Sequence, residues 1–296
     1  MTDTFQFGPV EFIKGAKKGR YPYCNSLFIK DAGVLIDPAS DKQRLVEIRD
    51  AVTAVWLSHW HEDHIKYLYQ FEHVPLWLHE ADAPPLTDIE VFIQWYYPNG
   101  MANQHLSDNW RKMLTKVFNF SPRKADHTFK GGEVIDLGSV TVEIIHAPGH
   151  SPGNLAFLFR EPEILFLGDN DLTPFGPWYG DRYSDIDQII DSVKKLREIP
   201  VRTWLTGHEH GIFEENPGQV WDDYLGVINQ REQKLFDFLA EPRSLDDITQ
   251  AWIVYRKPRE PLAEFEMMER ISMKKHADRL IRQGLVTFEE GKYHRR

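Results

Sequence analysis

Short apolar runs alternate with turn residues through the first two thirds of the chain, a pattern that predicts brief strands joined by loops and a few helices. Residues 27–30 and 34–37 flank Asp31-Ala-Gly33 and read as a hairpin. Leu45, Val46 and Ile48 make residues 41–49 compatible with a short helix. Residues 54–58 and 75–79 read as buried strands, residues 140–146 alternate cleanly, and 155–159, 164–168 and 203–206 complete the set. Before the last of these, Ile186, Ile189, Ile190, Val193 and Leu196 recur at helical period over residues 185–197.

Residues 84–122 interrupt that rhythm. Val91-Phe-Ile-Gln-Trp-Tyr-Tyr97 is strongly aromatic and residues 110–120 look helical, so the segment reads as an inserted lid or pocket wall. Ordinary core packing of the same rings is the equal alternative. From Gln219 the patterns are helical, over 221–239, 245–255 and 262–283, until residues 284–293 give two short strands around Glu289-Glu-Gly291. Helices followed by a small hairpin form a winged-helix pattern. The chain therefore reads as a catalytic unit at 1–215, carrying the 84–122 insertion, and a helical, winged-helix-like unit at 216–296.

With 296 residues, 42% of them hydrophobic, and 9 Trp, 18 Phe and 11 Tyr, there is material for a full core. No apolar run reaches the ~18 residues of a membrane helix. The first residues lack the basic start and apolar stretch of a signal peptide. Cys24, the single cysteine, excludes an intrachain disulfide and reads as a small buried apolar residue. The expected setting is the cytoplasm, with no membrane partner. A net charge of −10 disfavours a polyanionic partner. The charge is uneven: residues 243–296 hold 12 Lys+Arg against 9 Asp+Glu, a net of +3, which leaves −13 on residues 1–242.

Chemistry concentrates at strand ends. Ser58-His-Trp-His-Glu-Asp-His64 follows an apolar strand, and its imidazoles and carboxylates are the donor mix that suits zinc or iron. His59 and His61, alternate residues of an extended turn, can face one way, and Asp63 and His64 can face a second ion. Three later donors each sit beside a glycine, which lets the backbone turn sharply. They are His150 in Ala147-Pro-Gly-His-Ser-Pro-Gly153, Asp169 in Leu167-Gly-Asp-Asn170, and His208 in Thr206-Gly-His-Glu-His-Gly211. In order and spacing, from about residue 20 to about 212, these motifs resemble the metallo-β-lactamase fold. The resemblance implies an αβ/βα sandwich with His59, His61 and His150 at one metal, Asp63, His64 and His208 at a second, and Asp169 bridging them. It implies two zinc ions, with iron or manganese as alternatives. Glyoxalase-II-like members often carry a glycine pair shortly after the Asp-His; here Ile65-Lys66-Tyr67 follows, a bulkier floor with an added charge. The helical tail resembles that of lactamase-beta-2-like hydrolases.

Two ions can share a hydroxide and polarise the electrophile it attacks, with Asp63 as the catalytic residue that orients or deprotonates the water, so no side-chain nucleophile is required. A pocket with Tyr96, Tyr97, Phe175, Trp178 and Tyr179 would suit an acyl thioester or another apolar ester. Around the ligands the sequence offers only Lys66 and Arg182 as cations. Those two can hold one carboxylate or phosphate of a small substrate, such as a coenzyme A tail, and are too few for a track along nucleic acid. The expectation is hydrolysis of a small ester or thioester, with a homodimer left open. The alternatives are an RNA endonuclease, favoured by the tail's net +3, and a mononuclear-iron persulfide dioxygenase of the same fold. His146 and His210 stand near the motifs as partners of the ligands or as bystanders. His73, His79, His105, His127, His276 and His294 read as structural or solvated, and Lys274-Lys275 as a solvated helix face.

Overall fold

Two mixed β-sheets stack face to face in the computed structural model, which describes residues 3–98, 101 and 103–296. The first runs in chain order through β1 (Thr4–Phe7), β2 (Val10–Ile13), β3 (Ser26–Ile29), β4 (Val34–Ile36), β5 (Ala54–Trp56), β6 (Leu76–His79) and β7 (His127–Phe129). The second is built from β8 (Val134–Asp136), β9 (Thr141–His146), β10 (Leu155–Phe159), β11 (Ile164–Phe166), β12 (Thr203–Leu205) and β13 (Ile212–Phe213), also in order. Pairing is antiparallel from β1 to β4 and parallel from β4 to β7. In the second sheet only β11 and β12 are parallel.

Side-chain alternation along each strand builds the layers. Leu27, Ile29, Val34, Ile36 and Trp56 point from the first sheet into the space between the sheets, where they meet Val142, Ile144, Leu155, Phe157, Phe159 and Phe166. Trp56 stacks on Phe157 with ring centroids 5.9 Å apart. The alternate residues Phe28, Leu35 and Val55 face outward. They are covered by Leu45 and Ile48 of α2 (Lys42–Ile48), by α3 (Ile89–Tyr96) and by α4 (Gln104–Lys116), which follow α1 (Ala16–Gly19), a single turn whose Lys17 and Lys18 are left-handed. On the far side Ile145, Ala156, Leu165 and Trp204 are covered by α5 (Ile186–Arg197) and the first half of α6 (Gln219–Phe238). The result is helices, sheet, sheet, helices: an αβ/βα sandwich. Burying each such aliphatic or aromatic side chain contributes roughly 1.5–3 kcal/mol before entropy is counted.

Beyond α6 come α7 (Leu245–Gln250), α8 (Leu262–Arg282) and the hairpin β14 (Val286–Glu289) with β15 (Lys292–Arg295). Leu235, Leu239, Ile248, Trp252, Met273, Leu280, Val286 and Tyr293 form an apolar cluster of their own. No helix among the described residues is long and apolar enough to cross a membrane.

Local chemistry fixes the helix starts. Asp88, Asn103, Asp185 and Ser244 each accept from a backbone N–H of the first turn, and Ser244 with Asp247 completes a reciprocal capping box. The cap at Asn103 explains why α4 begins well before residue 110. The helix expected over 245–255 stops at Gln250, because Trp252 adopts a positive φ of 49° and the Glu269 carboxylate takes the N–H groups of Val254 (2.9 Å) and Tyr255 (3.0 Å). Strands β1, β2, β7, β8 and β13 were not legible in the sequence pattern. Asn99, Gly100 and Ala102 of the 84–122 segment lie outside the described residues.

Candidate metal centre

Parallel pairing brings the C-terminal ends of neighbouring strands to one edge. Asp37 and the 58–64 loop leave β4 and β5 side by side, and Asp169 and His208 leave β11 and β12 in the same way. His150 follows β9. One donor atom from each of His59, His61, His150 and Asp169 lies within 4.8 Å of all the others, and the same holds for Asp63, His64 and His208. Asp169 serves both groups. Its Oδ2 lies 3.3 Å from His150 Nε2 and 3.7 Å from His59 Nε2, while its Oδ1 lies 2.7 Å from His64 Nε2 and 3.4 Å from His208 Nε2. All seven residues are buried or nearly so.

Each imidazole is anchored through its other nitrogen. His59 Nδ1 donates to Ser58 Oγ (3.0 Å), whose own proton goes to Asp37 Oδ2 (2.7 Å). His64 Nδ1 donates to the same carboxylate oxygen (2.9 Å). His61 Nε2 donates to Asp181 Oδ2 (3.0 Å), His150 Nδ1 to the Trp178 carbonyl (3.2 Å), and His208 Nδ1 to the carbonyls of Gly19 (2.9 Å) and Tyr23 (3.1 Å). These acceptors set the tautomers, so the inward nitrogens carry lone pairs. Yet those nitrogens nearly touch: His61 Nδ1 to His150 Nε2 is 2.8 Å, His150 Nε2 to His59 Nε2 is 3.2 Å, and His64 Nε2 to His208 Nε2 is 3.3 Å. Buried Asp169 Oδ1 faces the rings of His64 and His208 at 2.7 and 3.4 Å. Lone pairs converging at such distances repel unless a cation sits among them, and imidazole with carboxylate is the donor set of zinc and its neighbours. The residues fit a metal site.

Without an ion the ligands share charge unevenly. Burial, reinforced by His64, holds His59 well below the ordinary imidazole range, and burial pushes His150 down to about 4. Burial also opposes charge on His64 and His208, but the Asp169 carboxylate outweighs it and holds both well above that range. Asp169 in turn stays far below the usual carboxylate range despite its burial, held there by His64 and His208.

A family model described as the metallo-beta-lactamase superfamily matches residues 20–208. The chain belongs to that superfamily. Within it, the chain is 31% identical over 176 residues to the acyl-coenzyme A thioesterase MBLAC2 of Homo sapiens, covering 57% of this chain and 60% of that protein. It is 22% identical over 219 residues to an atrochrysone carboxyl ACP thioesterase of Pseudocercospora fijiensis, covering 71% of this chain and 53% of that one. The chain thus spans little more than half the length of these curated relatives. Among solved structures, a metallo-beta-lactamase family protein of Thermus thermophilus shares the fold with a TM-score of 0.67, 20% identity, and coverage of 97% and 93% of the two chains.

In this superfamily member the residues expected around the substrate fall at different distances. The Tyr96 ring centroid lies 5.7 Å from that of His61 and 4.3 Å from Trp110, on which it stacks. Trp178 stands perpendicular to His61 at 5.2 Å and lies 5.6 Å from His150. Tyr97 is buried in the core beside Tyr96, and Tyr179 bonds His276 (2.8 Å) and Arg231 (2.7 Å). Phe175 lies under the Arg231 guanidinium, 4.7 Å from it. Lys66 donates to the Val117 carbonyl (2.8 Å) and faces the Tyr23 and Phe118 rings, and Arg182 lies over the Tyr183 ring at 4.9 Å. His146 stacks on His79 and His210 packs on Phe213. Lys274 pairs with Asp278, whereas Lys275 is not solvated as the helix-face reading expects: it turns inward and donates to Ser184 Oγ (2.7 Å).

The anchors were missed from the sequence. Asp37 ends an apolar strand, a signal that could have been read beside the 58–64 motif. Asp181 lies in an aperiodic stretch and carries no such signal. Asp82 is another: it holds the turn around His150 by accepting from Ser151 Oγ (2.5 Å) and Gly153 N (2.6 Å), and burial pushes it up to about 7. Glu62 receives the hydroxyls of Tyr21 (2.9 Å) and Tyr96, and burial, with Asp63 adding to it, pushes it up to about 7.

Proposed function

We propose that this superfamily member hydrolyses small thioesters with two zinc ions. One ion is assigned to His59, His61 and His150, the other to Asp63, His64 and His208, and Asp169 spans both. The observation that carries the assignment is the division of Asp169, with Oδ2 turned to His150 and His59 and Oδ1 to His64 and His208. When bound, zinc supplies Lewis acidity and acidifies water from a pKa of about 15.7 to roughly 7. The chain's own part is to hold the donors in register, to orient the attacking water through Asp63, and to seat the acyl group.

Two thioesterases among the relatives, and the Tyr96 and Trp178 rings beside His61, support an apolar acyl group on a thiol leaving group. Tyr97, Tyr179, Lys66 and Arg182 are assigned to the surroundings of the same site, and residues 84–122 to its wall. The net charge of −10 favours a small molecule over nucleic acid. We also propose a catalytic unit at 1–215 and a winged-helix-like unit at 216–296, supported by the separate apolar cluster of the tail.

The test assays zinc-loaded protein on an acyl N-acetylcysteamine thioester beside single-stranded RNA, with metal content measured by mass spectrometry. Two zinc ions per chain, and thioester hydrolysis lost in His61→Ala, are expected. RNA cleavage without thioester hydrolysis, or one iron per chain with oxygen uptake on a persulfide, would overturn the reading.

A further inference from the structure

We propose that the loop between β2 and β3 is an anion-binding rim of the site and takes the phosphate groups of a coenzyme A thioester. This deepens, and rests on, the thioesterase reading. Lys14-Gly-Ala-Lys-Lys-Gly-Arg20 carries four cations and no acid in seven residues, within a chain of net charge −10. Sequence distance hides its relevance, since the 58–64 motif lies some forty residues on. The fold brings it to the donors: Gly19 and Tyr23 offer their carbonyls to His208 Nδ1, Glu209 N donates to Gly19 O (3.3 Å), and Tyr21 reaches Glu62 (2.9 Å). The loop therefore borders the end of the site formed by Asp63, His64 and His208.

The loop is also built rather than slack. Gly15 N donates to Asn25 Oδ1 (2.9 Å), and Asn25 Nδ2 donates to Thr206 O (3.0 Å). Gly19 has φ +66, and a Cβ there would sit 2.6 Å from Asn25 Oδ1. Lys17 and Lys18 themselves hold positive φ values of 53° and 63°, which L-residues other than Gly, Asn and Asp rarely adopt. Both side chains are exposed. Among the described residues Lys18 makes no ion pair or side-chain hydrogen bond. Lys17 faces the Tyr23 ring at 5.8 Å, with Lys66 over the same ring at 4.9 Å. Arg20 has one exposed partner, Glu209 at 3.6 Å.

Exposed cations held beside a candidate active site attract a multiply charged anion. Lysine is a common phosphate binder. One carboxylate would need a single cation, and a polynucleotide would need a longer track than seven residues. The phosphates of coenzyme A match the loop in charge and in extent.

The test measures binding of coenzyme A, and of pantetheine, which lacks the phosphates, to the zinc-loaded protein by calorimetry. Lys17→Asn/Lys18→Asn is the variant of choice, because Asn tolerates the left-handed backbone while removing both charges. Lys292→Glu, on the C-terminal hairpin, is the control. The variant is expected to bind coenzyme A about tenfold more weakly and pantetheine equally well, with the control unchanged, two lost exposed ion pairs together being worth about one decade. Equal binding of coenzyme A by variant and parent, or coenzyme A bound no tighter than pantetheine, overturns the proposal. Tighter binding of single-stranded RNA than of coenzyme A overturns it in favour of a polynucleotide. Hydrolysis of the phosphate-free N-acetylcysteamine thioester reports separately on the thioesterase reading.

Discussion

Replacing Asp181 by Asn exchanges one oxygen for an NH2 group and leaves volume almost unchanged, yet it should disturb one arm of the proposed metal site. The native carboxylate is fully used: Oδ2 takes the proton of His61 Nε2 at 3.0 Å, and Oδ1 takes the N–H groups of Tyr183 (3.0 Å) and Ser184 (2.6 Å). An amide has one acceptor oxygen. If it stays on the two backbone donors, its NH2 faces His61 Nε2 and forces the ring proton onto Nδ1, the nitrogen turned towards His150 and the candidate metal. If it flips, two buried N–H groups lose their acceptor, at about 1–3 kcal/mol each. Either way His61 is a poorer ligand. Substitutions of such outer partners typically cost 10–100-fold in metal affinity, about 1.4–2.7 kcal/mol. The loss should fall on the ion held by His59, His61 and His150, with the other ion little changed. Zinc titration against a chromogenic chelator resolves the two events. Parent-like affinity for both ions in Asp181→Asn would refute the reasoning.

Four further outcomes are expected. Gly149→Ala should destabilise by about 3 kcal/mol or more, because φ is +126 and the new Cβ would meet Ile189 N at 2.3 Å; thermal melting measures it, and zinc content should fall with the displaced His150. Trp110→Ala should cost about 3–5 kcal/mol by denaturant melting, since that ring is fully buried and stacked on Tyr96. Zinc binding at pH 7 should release protons: in the metal-free protein His64 and His208 titrate well above the ordinary range, hence are charged at pH 7, and a metal must displace those protons. Calorimetry in buffers of different ionisation enthalpy reads the release, and zinc affinity should rise from pH 6 to pH 8. Chelation should lower Tm and abolish hydrolysis together, with both restored by zinc.

Much of this was legible because each donor sits where a β-run ends in a turn. The motif at residues 58–64 and the three Gly-flanked donors needed no long-range information to be singled out. The helical period over 185–197 was likewise strong, since Ile186, Ile189, Val193 and Leu196 form a buried apolar stripe; the helix expected over 262–283 buries Glu264, Glu269 and His276 beside Ile271, Met273 and Leu280. What the sequence did not reveal depends on pairing between distant segments. Asp181 acts on His61 across 120 residues, and the Gly19 carbonyl acts on His208 across 189. No local period or spacing encodes such a contact; it exists only once two sheets have stacked. The cations of residues 14–20 belong to the same class. Counted near the motifs, only Lys66 and Arg182 stood out, whereas the fold brings the β2–β3 loop to the rim. The short strands β1, β7, β8 and β13, at or beside the sheet edges, escaped for a simpler reason, being defined by their partners' hydrogen bonds rather than by their own composition.

On the proposed assignment Asp169 would serve two metal ions. Anomalous scattering from a zinc-soaked crystal at the zinc edge tests it most directly. Two peaks are predicted, roughly 3.5–4 Å apart, one bounded by His59, His61, His150 and Asp169 Oδ2, the other by Asp63, His64, His208 and Asp169 Oδ1. A single peak, or two that do not share Asp169, would contradict the account.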